Sequence, residues 1–394
     1  MAATKLCISK LGPISEADIA FGGLTVLTGP QASGKSVALQ TLTLALDQTI
    51  ITRRMHERGL VWRKDRATFL DLFYGTGMRA LWGDDTEVAL DGRTLTVQHL
   101  INVPTPGEVR PERVSYIPAQ RIMSIRDGWT RAFGDYQPGD PYVLRAFSQD
   151  LHDIVQGELS AHDRLFPRQQ RFNELLRSVA HEHVLGGWEL HVDAALGQKR
   201  FVIQNSTARS DEKLTFLSWS TGQREFVPLL LGLHRLLPPG AVSRRDDLEW
   251  VVIEELEMGL HPRAVAATMA FVMELLRRGY RVALSTHSTQ VLDVVWGLHR
   301  VAEFEGRPHD VLEMLGLPRS RAAIDAAAAA LAADRRVYYF ESGQLVRDIS
   351  DLDPLAEDDA TAGWGGLSQF SERVARTVSR LARVRSLAQE ASPR

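Results

Sequence analysis

The segment GPQASGKS, residues 29–36, constrains the fold of this 394-residue chain more than any other stretch. It has the full pattern G-x-x-x-x-G-K-S, and it lies between the apolar run LTVLT and a stretch with helix-period apolar residues. In such a loop, glycines let backbone N–H groups point inward, and the start of the next helix adds partial positive charge. We therefore predict a strand, loop and helix that together bind the phosphates of a nucleotide.

This loop predicts individual contacts. Lys35 is expected to reach the β- and γ-phosphates, and the Ser36 hydroxyl is expected to ligate Mg²⁺. The loop residues predicted to bind the nucleotide are Gly29, Pro30, Gln31, Ala32, Ser33, Gly34, Lys35, Ser36 and Val37.

Composition narrows the class of protein. The net charge of -3 gives no overall basic field, so any nucleic-acid binding would need a local patch. The only cysteine is Cys7, which rules out an intramolecular disulfide and favours a reducing compartment. The first residues lack the apolar core of a signal peptide, and no run of about 18 apolar residues occurs. We expect a soluble, cytoplasmic protein without a membrane segment.

Strand-like and helix-like segments alternate along the chain. Residues 4–28 predict two edge strands followed by a buried strand, and Asp91-Gly92 predicts the turn of a hairpin. The apolar runs WVVI and RVALS predict two more buried strands, whereas residues 122–187 are predicted to be mainly helical. Because strands alternate with helices and apolar strands end in polar groups, we predict an α/β fold with ligands at the strand ends.

The acids Glu254 and Glu255 end the run WVVI and form the second candidate element. In a phosphate site, the first acid can hold Mg²⁺, and the second can orient or deprotonate the attacking water. A strand that simply ends in solvated acids would explain the pair taken alone. Combined with the loop at residues 29–36, the pair strengthens the prediction of a nucleotide site.

A further candidate is the start of an apolar helix, at Ser220, Gly222 and Gln223. Serine and glycine at a helix N-terminus make an anion site, and this one is additional to the phosphate loop. This helix start is therefore a candidate for binding the nucleotide of a neighbouring subunit. The alternative is an ordinary N-cap at Ser220 or Thr221, with Glu225 completing a capping pair.

Two more strand ends carry polar candidates. His287 follows the strand RVALST and would sense the γ-phosphate, unless it is simply a satisfied histidine at a strand end. Gln120 follows the strand VSYI, where its amide would contact Mg²⁺ and the attacking water, unless it is a surface glutamine.

Taken in order, these elements resemble the head of ABC-type ATPases, the class that includes SMC, Rad50 and RecF proteins. Within that class, EELEMGLHP and IPAQR look most like OLD-type, AAA_15 and AAA_21 ATPases, many of them linked to bacterial anti-phage defence or toxins. The resemblance covers about residues 4–120 and 206–350. Three features depart from the usual pattern: Glu254 replaces an aspartate, Leu256 replaces a proline, and the signature is S-T-G-Q. These departures imply slow hydrolysis.

This resemblance implies an ABC-type P-loop ATPase with an N-terminal antiparallel β-subdomain, a mostly parallel core sheet and a helical insertion. It implies ATP and Mg²⁺ as cofactors and a homodimer that sandwiches ATP, with one chain's helix start contacting the other chain's γ-phosphate. The site residues that it implies are Glu255, His287 and Gln120 for catalysis, Ser36, Gln120 and Glu254 for the metal, and Ser220, Gly222 and Gln223 for contacts in trans.

Four regions are expected along the chain. Residues 1–121 and 206–350 would form the two halves of the ATPase, residues 122–205 a helical insertion with a hairpin, and residues 351–394 a C-terminal tail helix. Since the tail is too short for a nuclease module, a nuclease or toxin effector would be a separate polypeptide.

Some alternatives stay open at this point. The Arg-rich stretch 53–66 could contact DNA or RNA, as in a DNA-repair ATPase of the RecF or SMC type, or could be a solvated helix face. A basic helix in the tail could dock a partner or pack on its own domain. A P-loop kinase or a plain nucleotide-binding regulator is the third possibility.

Overall fold

The structure is a computed structural model. It describes residues 4–160, 162–167, 172–194, 197–205, 212–237, 244–245, 247–353, 361, 363–364, 374–375 and 377–380. The predicted tail helix lies for the most part outside the described residues.

The described strands follow one another along the chain. They are β1 (Thr4–Leu11), β2 (Ile14–Phe21), β3 (Leu24–Thr28), β4 (Trp82–Leu90), β5 (Arg93–Thr94), β6 (Val114–Ile117), β7 (Ile125–Arg126), β8 (Trp129–Thr130), β9 (Arg164–Phe166), β10 (Glu189–Asp193), β11 (Arg200–Gln204), β12 (Lys213–Thr215), β13 (Trp250–Glu254), β14 (Arg281–Thr286), β15 (Arg335–Tyr339) and β16 (Arg347–Asp348).

The described α-helices are α1 (Lys35–Glu57), α2 (Arg66–Tyr74), α3 (Val97–Leu100), α4 (Tyr142–Gln156), α5 (Glu174–Ser178), α6 (Thr221–Leu236), α7 (Pro262–Arg277), α8 (Thr289–Glu303), α9 (Pro308–Met314) and α10 (Arg321–Ala332).

The core is a six-stranded sheet in the order β16-β15-β3-β14-β13-β6, in which β16 is antiparallel to β15 and the other five strands are parallel to one another. Helices cover both faces, so the central strands are buried throughout, and successive side chains enter different cores. Trp250 and Val252 of β13 pack with α1 and the N-terminal sheet, whereas Val251 and Ile253 pack with α6, α7 and α8. The predicted mostly parallel α/β core is confirmed.

The N-terminal unit is an antiparallel sheet in the order β2-β1-β4-β5, as predicted. Its hairpin turn is the predicted Asp91-Gly92 pair, and both residues have positive φ values of 51° and 77°. Two positive φ values are the requirement of a type I′ turn, which explains why this dipeptide is found there.

The insertion is only partly helical, which corrects the prediction of a helical segment. Besides α4 and α5 it contains a four-stranded antiparallel sheet in the order β12-β11-β10-β9. The predicted hairpin is β10 and β11, but β9 and β12 have three residues each, too few to show an alternating pattern. Because β12 pairs with β11, we propose that the insertion ends at about residue 215 rather than at residue 205.

A buried group of charges joins the helices around the core. Glu112, just before β6, accepts hydrogen bonds from Arg54 at the end of α1 (2.6 Å) and from Arg235 at the end of α6 (2.7 Å). Arg235 also pairs with Asp150 of α4. The three helices are thereby fixed to one another on the side of the sheet away from the phosphate loop.

Replacing Glu112 with glutamine is expected to lower the free energy of unfolding by about 3 kcal/mol, because the largely buried guanidinium group of Arg235 and the partly exposed one of Arg54 lose a shared carboxylate that is itself largely buried. Urea denaturation followed by circular dichroism measures the change. The matched control is Glu249→Gln, whose partner is Arg113, since both side chains of that pair are well exposed. The control is expected to cost less than about 1 kcal/mol. Equal losses in the two variants would contradict a structural role for the Glu112 group.

Candidate active site

The strands β3, β6, β13 and β14 end at the same edge of the core sheet. The strand register places Glu254 beside Ser285 and Thr286 beside Thr28. Parallel strands bring their carboxyl ends together, so the phosphate loop, the acid pair and His287 come from distant parts of the sequence to one edge. This convergence could not be read from any one of the motifs.

The phosphate loop has the backbone that its glycines allow. Gly29 has a φ of 137°, and a Cβ there would lie 2.0 Å from the Phe340 carbonyl oxygen. Gly34 has a φ of 104°, and a Cβ there would lie 2.5 Å from a side-chain carbon of Ile14. Both positions therefore require glycine, for conformation and for space.

Lys35 closes this loop. Its Nζ donates hydrogen bonds to the carbonyl oxygens of Gly29 (2.8 Å) and Pro30 (2.7 Å), and its side chain is buried. Burial lowers the pKa of Lys35 to about 8, opposed by the nearby acids Glu255, Glu257 and Glu254. The ammonium group is held at the centre of the loop, and it can exchange carbonyl oxygens for phosphate oxygens without leaving it.

Glu254 is buried at the base of the site. Its Oε2 accepts a hydrogen bond from the backbone N–H of Ala119 at 3.0 Å, whereas its Oε1 is buried without a hydrogen bond of good geometry. Burial raises the pKa of Glu254, opposed by the Ser36 hydroxyl, the Ala119 N–H and the Tyr116 hydroxyl.

A hard cation fits this group of oxygens. A buried carboxylate oxygen that makes no well-aligned hydrogen bond, on a carboxylate beside the Ser36 hydroxyl, offers the ligand type that Mg²⁺ prefers. Among the described residues, no group of three or more His, Cys, Asp or Glu side chains could hold a metal by itself. Magnesium commonly takes one or two protein oxygens together with phosphate oxygens and water, so this donor set suits a metal that arrives with a nucleotide.

Glu255 has an unusual backbone, with a φ of 44° in the left-handed region. Its N–H donates to the Ser285 carbonyl oxygen at 3.0 Å, and its carboxylate lies 3.7 Å from Nε2 of His287. Both side chains are about one-third exposed, so a water molecule or phosphate can reach them. Non-glycine residues in this conformation carry strain and cluster at functional sites.

His287 is held in a mainly neutral form. Burial lowers the pKa of His287, Lys35 lowers it further, and Glu255 and Glu257 oppose the shift. A neutral imidazole near pH 7 can donate one hydrogen bond and accept another.

No chemical role was predicted for Glu257 from the sequence. Its Oε1 accepts hydrogen bonds from the Thr286 hydroxyl (2.8 Å) and from the backbone N–H of His287 (2.6 Å). The loop after the acid pair is thus bonded to the loop that carries His287. The only signal in the sequence was its place in the motif EELEMGLHP.

Gln120 lies at the same edge of the sheet but is exposed, after Ala119, whose N–H contacts Glu254. No contact of the Gln120 side chain with the acid pair is seen in the described part of the chain. Its predicted contacts with a metal ion and a water molecule stay predictions.

Ser220 caps α6 in a complete capping box. Its hydroxyl accepts a hydrogen bond from the Gln223 N–H (3.2 Å), and the Gln223 side chain accepts one from the Ser220 N–H (2.9 Å). The capping partner is Gln223, not Glu225, because the third helical position is the one that faces the cap. Gly222 packs on the loop after Glu255, since a Cβ there would lie 3.0 Å from the Gly259 carbonyl oxygen.

No contact between Ser220 and the phosphate loop of the same chain is seen among the described residues. Local capping and packing therefore account for Ser220, Gly222 and Gln223 within one chain. The predicted role of this helix start in trans stays a prediction.

Arg121 is the last residue of the motif IPAQR, and no role for it was predicted from the sequence. Its side chain is fully buried, and it donates to the carbonyl oxygens of Glu225 (3.1 Å), Glu254 (2.9 Å) and Glu255 (2.9 Å). No sequence signal distinguishes a buried arginine from the many exposed ones.

Part of the chain matches a protein-family model. Residues 150–293 match the AAA_21 model, described as an AAA domain, putative AbiEii toxin, of a type IV TA system. The match includes the α6 start, the acid pair and His287, but not residues 29–36. No curated protein is similar enough to the chain to count as a match.

Solved structures that show some similarity to the chain include SMC heads and an ABC cassette. The Smc head bound to the C-winged helix domain of ScpA has 9% identity and a TM-score of 0.41, over 92% of this chain and 100% of that chain. The SMC head domain from Thermotoga maritima has 12% identity and a TM-score of 0.32, over 74% and 92%. A dimeric bacterial ABC transporter cassette has 14% identity and a TM-score of 0.33, over 73% and 89%. These values support no inference about individual residues, activity or partners.

The chain combines a phosphate loop at residues 29–36, at the edge of a mostly parallel sheet, with a segment that matches the AAA_21 model. A loop of this pattern implies that the chain binds ATP. None of the helices in the described ranges is long and apolar enough to cross a membrane.

Proposed function

We propose that this protein hydrolyses ATP and dimerises around it, and that the closed dimer regulates a separate effector protein. The observation that supports the proposal is the convergence of Lys35, Ser36, Glu254, Glu255 and His287 at one edge of the core sheet. Each side chain belongs to a type that ATP hydrolysis requires, and the five come from three separate segments: the phosphate loop, the end of β13 and the end of β14.

In the proposed reaction, water attacks the γ-phosphorus and ADP leaves. Glu255 accepts the proton of the water, and neutral His287 beside it donates a hydrogen bond to the γ-phosphate. Lys35 exchanges its bonds to Gly29 and Pro30 for bonds to phosphate oxygens.

Glu254 and Ser36 are the residues that would hold Mg²⁺, with Gln120 as a further candidate. When bound, the metal neutralises charge on the phosphates. Such a metal would also supply a partner for the buried Oε1 of Glu254, which makes no well-aligned hydrogen bond.

We further propose that ATP bound to one chain is contacted by the Ser220 helix start of a second chain. This end of α6 offers backbone N–H groups and the positive end of the helix dipole. Ser220, Gly222 and Gln223 are exposed or partly exposed, so a second chain can reach them.

The effector proposal depends on the AAA_21 segment, whose description names a toxin and a toxin–antitoxin system. Anti-phage defence or toxin control is therefore the biological setting that we propose. The effector would be a nuclease or toxin encoded by another gene.

The basic stretch at residues 53–66 gives little support for the alternative of a DNA-repair ATPase. Three of its arginines pair with acids of the same chain, which reduces the charge available for phosphates. These pairs are Arg53 with Glu57, Arg54 with Glu112 and Arg66 with Asp84. The structure thus favours the interpretation of this stretch as a charged helix face and loop.

Phosphate release from ATP by the purified protein tests the proposed activity. We expect a turnover number below about 1 per second, at the slow end for enzymes, and a loss of activity in Lys35→Ala. Heat-inactivated protein and a non-hydrolysable ATP analogue serve as blanks. Wild-type protein that released no phosphate above these blanks would contradict the proposal.

A further inference from the structure

Arg121 lies between α6 and the acid pair at the end of β13. It follows Gln120 after β6, and its guanidinium group is buried between α6 and the loop that begins at Glu255. The three carbonyl oxygens that it contacts belong to Glu225 on α6 and to Glu254 and Glu255 at the end of β13.

Only arginine suits these three acceptors. A guanidinium group has donors in a fixed planar fork, so one side chain can bond to carbonyl oxygens in different directions. Each acceptor is bonded to a different nitrogen of Arg121, whereas lysine carries its three donors on one compact ammonium nitrogen. The carboxylate of Glu225 lies 3.8 Å from Nε of Arg121 and balances the buried charge.

These bonds restrain the strained residue Glu255 from both sides. Its N–H is bonded to the Ser285 carbonyl oxygen, and its own carbonyl oxygen is bonded to Arg121. A φ of 44° is unfavourable for glutamate and needs such restraint. The direction of the Glu255 carboxylate therefore depends on Arg121.

The other end of Arg121 is bonded to the helix that starts at Ser220. Glu225 lies in the first turns of α6, and the same end of the helix packs closely on the loop after Glu255 through Gly222 and Gly259. A displacement of this helix start would therefore move Arg121, and Arg121 would in turn shift the backbone of Glu255.

We propose that Arg121 is a positioning residue: it holds the Glu255 carboxylate where it can accept the proton of the water that attacks ATP bound to the same chain, and it makes that position depend on the Ser220 helix. The proposal rests on the proposed function, because it assigns Glu255 to the hydrolysis step. It adds a mechanical link by which contact of a second chain with α6 governs hydrolysis in the first chain.

Arg121→Lys tests the proposal. We expect kcat for ATP to fall about 10- to 100-fold, the range for losing one charge-assisted hydrogen bond, while KM changes less than about threefold. The matched control is Arg235→Lys, another buried arginine bonded to acids, at the far end of the same helix. That control is expected to keep the wild-type kcat even if it lowers stability.

Two further measurements cover the case in which Arg121→Lys folds poorly. Glu225→Gln removes the charge beside Nε but keeps the carbonyl acceptor, and we expect kcat to fall about threefold or more. Hydrogen exchange of the nucleotide-free protein, read on peptides within residues 252–260, is expected to become about tenfold faster in Arg121→Lys and to stay unchanged in Arg235→Lys.

The outcomes separate this inference from the proposed function. Wild-type ATP hydrolysis with unchanged kcat in both Arg121→Lys and Glu225→Gln overturns the inference and leaves the ATPase proposal standing. Absence of wild-type hydrolysis overturns the ATPase proposal and, with it, the role of Arg121 in hydrolysis. In that event, unchanged exchange in residues 252–260 would also overturn the claim that Arg121 restrains the loop.

Discussion

Glu255→Gln is expected to lower kcat for ATP by about 10²- to 10⁴-fold, the usual contribution of a general base, while ATP still binds. Glutamine has nearly the same size as glutamate but cannot accept a proton from water. The Lys35 bonds and the buried Glu254 carboxylate are untouched by the change. Because binding persists without hydrolysis, the proposed ATP-bound dimer should accumulate.

Phosphate release and light scattering after gel filtration, both with ATP and Mg²⁺, measure these two effects. We expect the mass of Glu255→Gln to double when ATP is added and to return to the monomer value when ATP is removed. The matched control is Glu249→Gln, the same substitution just before the opposite end of β13, which is expected to behave like wild type. A Glu255→Gln protein that stays monomeric in saturating ATP and Mg²⁺ would refute the dimer proposal.

Ser220→Arg and Lys35→Ala are each expected to inactivate the protein alone and to restore activity when mixed. Arginine at residue 220 would block the helix start, whereas alanine at residue 35 removes the ammonium group from the phosphate loop. In a head-to-tail dimer, a mixed pair has one site with both defects and one site with neither. An equal mixture should therefore contain about a quarter of the wild-type number of working sites.

The ATPase rate of the mixture, compared with each variant alone over a range of protein concentrations, measures this complementation. The control mixture combines Lys35→Ala with Glu255→Gln, since both defects lie on the same side of the proposed site and no intact site can form. A kinase or a monomeric ATPase predicts no gain in either mixture. Equal activity in the two mixtures would also contradict a site shared between chains.

The phosphate loop and the α/β core could be predicted from short patterns in the sequence. The loop at residues 29–36 needs glycines at two positions, and the structure explains both by a backbone and a space that a Cβ would not fit. The runs WVVI and RVALS are apolar because their strands are covered on both faces. The glycines of the loop and the apolar residues of each strand lie close together along the chain. The patterns that they form can therefore be recognised without a three-dimensional structure.

The insertion and the role of Ser220 were harder to predict, for different reasons. Strands as short as β9 and β12 are held by their neighbours in the sheet rather than by a pattern of their own. A capping serine and a phosphate-binding serine have the same local sequence, because both use the same end of a helix. Local sequence could not separate these two roles.

The sequence alone determined the phosphate loop, the order of the polar strand ends and the α/β class, since each depends on neighbours along the chain. Only the tertiary structure revealed how Glu254, Glu255, Glu257 and His287 are held, and that Arg121 bridges α6 and the end of β13. Burial and hydrogen bonding between residues 30 to 135 positions apart are set by packing. No pattern along the chain distinguishes this arginine from an exposed one.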